Sequence, residues 1–224
     1  MTPAVHSDNL VSILSDSRLL GIWLILALLS CAWLLIDLLR NNQHIVPIMK
    51  AAWILTVLYS GPLGLLIYFY AGRKEIRTNS LWRKGFRSVV HCYSGCGAGE
   101  IVGVSIAVGL FALGNLGISV ISFLLAYVFG FGMTFGPLLQ QGVQIKKAFI
   151  DTVYSDTATI TAMEITAISL DTSLAGTASI NQTLFWNSLI LSLFAGLLVA
   201  YPVNLLLIKY GIKSGMGDPR DVSR

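Results

Sequence analysis

The chain has 224 residues, of which 55% are hydrophobic and 12% charged, with a formal net charge of +4. A soluble domain normally carries about 25% charged residues, so there is too little charge here to clothe the outside of one. Three cysteines, Cys31, Cys92 and Cys96, make an odd count that speaks against a disulfide framework.

Residues 1–18 read as an N-terminal segment. They hold Asp8 and Asp16 and no basic residue before Arg18, which is not how a signal peptide begins. Leu28-Leu29-Ser30-Cys31 loosely resembles a lipoprotein cleavage site. The apolar run continues past it through Trp33 and Ile36, so a retained first span is expected.

A bilayer span needs roughly 20 mostly apolar residues. By that measure residues 19–210 are predicted to form an all-α integral membrane bundle of about six transmembrane helices. The spans lie near Leu19–Leu39, Ile45–Ala71, His91–Leu113, Ile118–Leu139, Lys147–Leu170 and Leu184–Tyr210. The fifth is unusually polar. A basic loop at 72–90 separates the second and third, and a tail covers 211–224.

Lys and Arg near span ends set orientation. The basic loop carries Arg73, Lys74, Arg77, Arg83, Lys84 and Arg87. Lys146 and Lys147 precede the fifth span, and Lys209, Lys213, Arg220 and Arg224 close the chain. With an even number of spans these all fall on one side, so both termini and the basic loop are expected to be cytoplasmic. Arg40 and Lys50 dissent. Trp82 with Phe86, and Arg83 with Arg87, are four apart, which suits a short helix in the headgroup layer. The basic patch is too small to argue for nucleic acid; the expected partner is the lipid bilayer.

The first polar constellation is His91-Cys92-Tyr93-Ser94-Gly95-Cys96-Gly97-Ala98-Gly99-Glu100. On a helix Cys92, Cys96 and Glu100 line one face, with His91 beside them. Thiolate and imidazole favour copper(I) or zinc over magnesium or calcium. Gly95, Gly99 and Gly103 form a ridge of small residues that lets a second helix approach closely. The cysteines equally fit an extension of that ridge, so packing and soft-metal binding both stand. Alternatively the two thiols cycle to a disulfide, although Cα atoms four apart on a helix are about 6 Å from one another.

The second constellation is the fifth span. Thr157, Thr161, Glu164 and Asp171 share a helical stripe, with Asp156 on a neighbouring arc. Such a helix belongs inside the bundle or against a wet cavity. Asp156 and Glu164 are the candidates for proton or cation handling, with Thr157 and Thr161 on the path. Asp171 is expected at the far surface, and Asp37 is expected to pair with Arg40. Pro62, after Gly61, and Pro202, after Tyr201, are candidate hinges. No nucleophilic triad, phosphate loop, dinucleotide fingerprint or metalloprotease motif is present.

His91-Cys92-x-x-Gly95-Cys96 with Gly99-Glu100, Ser155-Asp156-Thr157 with Ile160-Thr161-Ala162, Tyr201-Pro202-Val203-Asn204 and Gly211-Ile212-Lys213 together resemble an uncharacterised prokaryotic membrane family, domain of unknown function four-three-nine-six. Leu55-Thr56 and Gly61-Pro62-Leu63-Gly64 add to the resemblance, which runs from about Trp53 to Met216 and leaves out the first span. The family's pattern often has an acid after the glycine at 103, where this chain has Val104. The resemblance implies a shared polytopic fold in a prokaryotic cytoplasmic membrane and no activity.

The leading expectation is a small transporter or channel-like protein. It would hold a soft cation such as copper(I) at His91, Cys92, Cys96 and Glu100 and pass protons or the cation along Asp156, Thr157, Thr161 and Glu164. A thiol-redox protein and a non-catalytic assembly subunit are the alternatives, and a homo-oligomer is compatible with so narrow a bundle.

Overall fold

The computed structural model describes residues 3–111, 113–140, 142–176, 178–213, 215 and 218–220. The rest of the expected tail, 214, 216–217 and 221–224, lies outside the described residues. Seven helices follow in order: α1 Pro3–Leu14, α2 Ser17–Arg40, α3 Pro47–Ala71, α4 Leu81–Gly109, α5 Asn115–Gln140, α6 Ile145–Ala175 and α7 Thr183–Lys209. Among the described residues there is no strand, and the all-helical expectation holds. Five helices are long and apolar enough to cross a membrane: α2, α3, α4, α5 and α7. The sixth predicted span is present as α6, which is long but carries several Asp, Glu and Thr.

Caps mark two of the starts. The Asp16 side chain accepts a hydrogen bond from Arg18 N–H at 2.8 Å, and Ser80 accepts from Arg83 N–H at 3.4 Å. The Ser80 cap sits ahead of the basic stretch, so Trp82–Arg87 is the first part of α4 and not a separate surface helix. Phe86 stacks on Tyr201 of α7 with ring centroids 4.0 Å apart, and Arg87 is buried.

The largest departure from expectation lies in α3. Gly61 has φ +53° and ψ −132°, a conformation that a residue with a Cβ adopts only under strain. Pro62 follows as the first residue of a new helical arm, where its missing N–H and fixed φ are tolerated. The chain reverses there. Trp53 and Tyr68 would be about 22 Å apart in a straight helix; their ring centroids are 5.3 Å apart. A Cβ on Gly72 would stand 2.6 Å from the Trp53 ring, and one on Gly64 would stand 2.9 Å from the Thr56 carbonyl oxygen. The arms, 47–60 and 62–71, are about 21 and 15 Å long, against a hydrocarbon core of about 30 Å. Thus α3 is a re-entrant hairpin that enters and leaves at one end of the bundle. Pro62 marks a fold-back and not a hinge within a span. Pro202, by contrast, sits within a continuous α7.

Asp37, near the end of α2, ties the hairpin down. Its carboxylate accepts from Asn41 at 2.8 Å, Asn42 at 2.9 Å, Tyr68 Oη at 2.7 Å and Arg73 Nη2 at 3.2 Å. The expected Asp37–Arg40 pair is replaced by Asp37–Arg73, which the reversal brings within reach. Arg83 and Arg87 donate to the carbonyls of Tyr70 and Ala71, at 2.9 and 3.1 Å, and so close the C-terminus of the return arm. The hairpin tip meets α4: Ser60 Oγ donates to Tyr93 Oη at 2.8 Å, and Tyr59 packs on Tyr93.

The fold-back leaves five helices running end to end: α2, α4, α5, α6 and α7. An odd number places the described chain ends at opposite ends of the bundle. Leu14 C=O accepts from Asn187 Nδ2 at 2.7 Å at the start of α7, whereas Pro219 C=O lies 2.6 Å from His44 Nε2 beyond α2. The described chain ends thus lie at opposite ends of the bundle, where an even number of spans would put both at one end. The dissent of Arg40 and Lys50 disappears as well. Lys50 Nζ donates to Gln43 C=O at 2.7 Å, on the same end as Arg73 and Lys213. Of the described Lys and Arg residues, all but Arg18 gather at this basic end.

Candidate functional site

Helix α4 is the axis of the bundle, and its sequence assigns each face. Gly95, Gly99 and Gly103 meet α5 backbone to backbone. A Cβ on them would stand 2.7 Å from Gly130 Cα, 2.4 Å from Leu125 O and 2.6 Å from Ser122 Cα. No side chain fits there, so the two helices touch along the ridge. The adjoining face carries Cys92, Cys96 and Glu100 towards α6.

That face meets the polar side of α6. Cys92 Sγ and Cys96 Sγ are 3.9 Å apart, and both residues are buried. Glu164, fully buried, faces Cys96. One to two turns further from the basic end, Glu100 and Asp171 line one cleft of about 50 Å³ together with Ser122 of α5. Thr172 and Gly176 at its rim are exposed. The Cys96 thiol is the polar group beside Glu164, whose two oxygens meet no nitrogen or oxygen donor, and Glu100 Oε2, Asp171 Oδ1 and Ser122 Oγ are without a hydrogen-bond partner. Among the described residues no Lys or Arg pairs with any of these three acids.

At the basic end the arrangement is the opposite. Lys213 Nζ lies 2.6 Å from Asp156 Oδ1 and 3.0 Å from Asn204 Oδ1, and Ser88 Oγ donates to the same Asn204 oxygen at 2.7 Å. Asp156 is fully buried and Lys213 only 6% exposed. Gly211, with φ +71°, turns the chain after α7, and the N–H groups of Ile212 and Lys213 both donate to Leu207 C=O. That turn sends the Lys213 side chain back into the bundle. Between Asp156 and Glu164, about 12 Å along α6, lie Thr159, Ile160 and Met163, all buried.

The expected sites therefore divide. His91 does not join Cys92, Cys96 and Glu100. Its Nδ1 lies 3.1 Å from Met133 C=O and its Nε2 meets Met49 Sδ, because one residue along a helix is a rotation of about 100°. Among the described residues no group of three or more His, Cys, Asp and Glu converges to hold a metal ion. Thr157 is exposed, and Thr161 bonds Tyr127 of α5 on the outer side of the seam. Asp156 and Glu164 are both inside. Sequence reasoning missed Lys213, Asn204, Ser88, Ser122 and the inward placement of Asp171. The glycine two residues before Lys213 was the one local signal for its return.

Residues 81–213 match the family model described as Domain of unknown function (DUF4396). The chain belongs to that family. The matched segment is more than half of the chain, begins at the start of α4 and ends on Lys213, so it holds the whole acid seam and its basic closure. Hairpin α3 falls outside it, and the match is narrower than the resemblance read from Trp53 onward. Comparison with curated proteins and with solved structures gives no match.

Breaking one side of a buried ion pair leaves an uncompensated charge and costs about 3–5 kcal/mol. Asp156→Asn and Lys213→Met are each expected to destabilise the protein by that order in chemical unfolding in mixed micelles. The double variant is expected to lose much less than the sum, and additive losses would show that the two groups are not coupled.

Proposed function

We propose that this chain is a multi-pass membrane transporter or channel-like protein that moves protons or a small cation along the α4–α6 seam. The observation that carries the reading is the set of carboxyl groups without a basic partner: Glu100 and Glu164, both buried, and the half-buried Asp171. A carboxylate at membrane depth without a counter-charge is costly, so each group takes up a proton or a cation, and such residues line pathways and relays. The cleft at Glu100 and Asp171 opens at the end opposite the basic loops. Ile160, Met163 and the Asp156–Lys213 pair close the other end. One end open and one closed around a central acid is what an alternating pathway requires. On the positive-inside rule the basic end is the cytoplasmic one, which makes the cleft external, and the resemblance to a prokaryotic membrane family supports a cytoplasmic membrane as its place.

The test is proton flux into liposomes holding a pH-sensitive dye, driven by a potassium diffusion potential. Wild-type protein is expected to conduct or exchange protons, and Glu164→Gln to lower the rate at least about 100-fold, as removal of a positioned proton carrier does. Flux equal to that of empty liposomes, or equal in the variant, would overturn the reading.

A second reading, a soft cation as cargo, is favoured by the thiol pair, with its sulfurs 3.9 Å apart beside Glu164. Two thiols suit copper(I) where zinc would want four ligands. It predicts copper near one per chain after reconstitution under reducing conditions, lost in Cys92→Ser/Cys96→Ser. Copper content unchanged in the double variant would remove it.

A further inference from the structure

The cleft at the end of α6 differs in chemistry from the thiol pair. Three residues from three helices line it, and each holds a buried oxygen without a hydrogen-bond partner: Glu100 Oε2 from α4, Ser122 Oγ from α5 and Asp171 Oδ1 from α6. Glu100 and Ser122 are each 2% exposed, so water at the surface does not satisfy them. Ser119 and Thr172 add hydroxyl groups to the lining, and among the described residues no sulfur or imidazole reaches it. The remaining lining is apolar, including Val104, Ile118 and Phe185.

We infer that this cleft is a binding site for a hard monovalent cation, sodium, held by Glu100, Asp171 and Ser122. Hard cations take oxygen ligands, whereas copper and zinc want the sulfur and nitrogen that are absent here. The volume of about 50 Å³ has room for an ion together with water. Magnesium demands near-ideal octahedral geometry and parts with its waters reluctantly, and calcium takes six to eight oxygens. Sodium takes the oxygens of Glu100, Asp171 and Ser122 with the neighbouring hydroxyls and a water. The position suits a cation as well. The cleft lies against the last turn of α6, whose C-terminal end carries partial negative charge.

The assignment rests on the transport reading for its purpose, naming the ion that the open end admits, but its test is independent of flux. Purified protein in detergent is titrated with sodium chloride against choline chloride at constant ionic strength, reading thermal unfolding and heat of binding. A ligand that binds only the folded state raises the melting temperature. Sodium is expected to raise it and choline not. Glu100→Gln and Asp171→Asn are each expected to weaken sodium binding about tenfold or more. Ser122→Ala, a smaller change that keeps the carboxyl groups, is expected to weaken it while the unliganded melting temperature stays put. No difference between sodium and choline would overturn the site, as would equal binding in Glu100→Gln and Ser122→Ala. A response to calcium chloride in place of sodium would overturn the choice of ion. Proton flux sensitive to Glu164→Gln in a protein blind to sodium would remove this site and keep the transport reading. Sodium binding without any flux would do the reverse.

Discussion

One backbone reversal sets the sidedness of the whole molecule. At Gly61 a conformation open to glycine turns an apolar stretch of bilayer-spanning length back on itself. Two short arms result, neither able to cross. A fold-back at depth exposes polar backbone at its tip, and such backbone is tolerated only where protein covers it. Here Trp23 and Ala27 of α2 and Tyr93 of α4 cover it. At the other end Asp37 gathers four donors, two from the turn after α2, one from the return arm and one from the loop that follows it, so that the hairpin is anchored where it enters. With α3 returning to its start, the crossings become odd in number, and Arg40 at the end of α2 falls together with the basic residues of α3, α4, α6 and α7.

Around that frame α4 distributes the chemistry. Glycines at four-residue spacing bring α5 into backbone contact, and the next face turns cysteines and Glu100 towards α6. The seam between α4 and α6 then holds polar groups of two kinds. At the basic end Asp156 has Lys213, and the pair is joined through Asn204 to Ser88, so α4, α6, α7 and the turn after α7 meet in one network. At depth Glu164, Glu100 and Asp171 have no such partner. A fold that only needed rigidity would gain by replacing them with apolar groups of similar volume. Their presence within a covered seam is the reason to read the seam as a path.

Much of this was legible in the residues, and the failures have a common cause. Apolar runs identified α2 to α7 because length and hydropathy are local properties. The four-residue spacing of Cys92, Cys96 and Glu100 put them on one face, which is where they lie. His91 was grouped with them by adjacency, although adjacency on a helix turns a side chain towards a different neighbour. Gly61-Pro62 was legible as a break but not as a reversal, since a pattern of apolar residues does not record direction. Arg40 and Lys50 held the missing information: their apparent placement on the wrong side was the sign that the span count between them and Arg73 was wrong. Asp171 and Lys213 were missed because what stands across from a residue near the end of a long helix, or beyond a turn, is set by packing alone.

The fold-back is tested most directly by side-specific labelling of single cysteines in a chain with Cys31, Cys92 and Cys96 replaced by serine. Gln43, Arg77 and Ser15 are exposed and flank α3 and α2. A membrane-impermeant maleimide applied to oriented vesicles is predicted to reach Gln43→Cys and Arg77→Cys from the same side and Ser15→Cys from the other. Labelling of positions 43 and 77 from opposite sides would mean that α3 crosses the membrane, and the sidedness assigned to the cleft and to the Lys213 closure would fall with it.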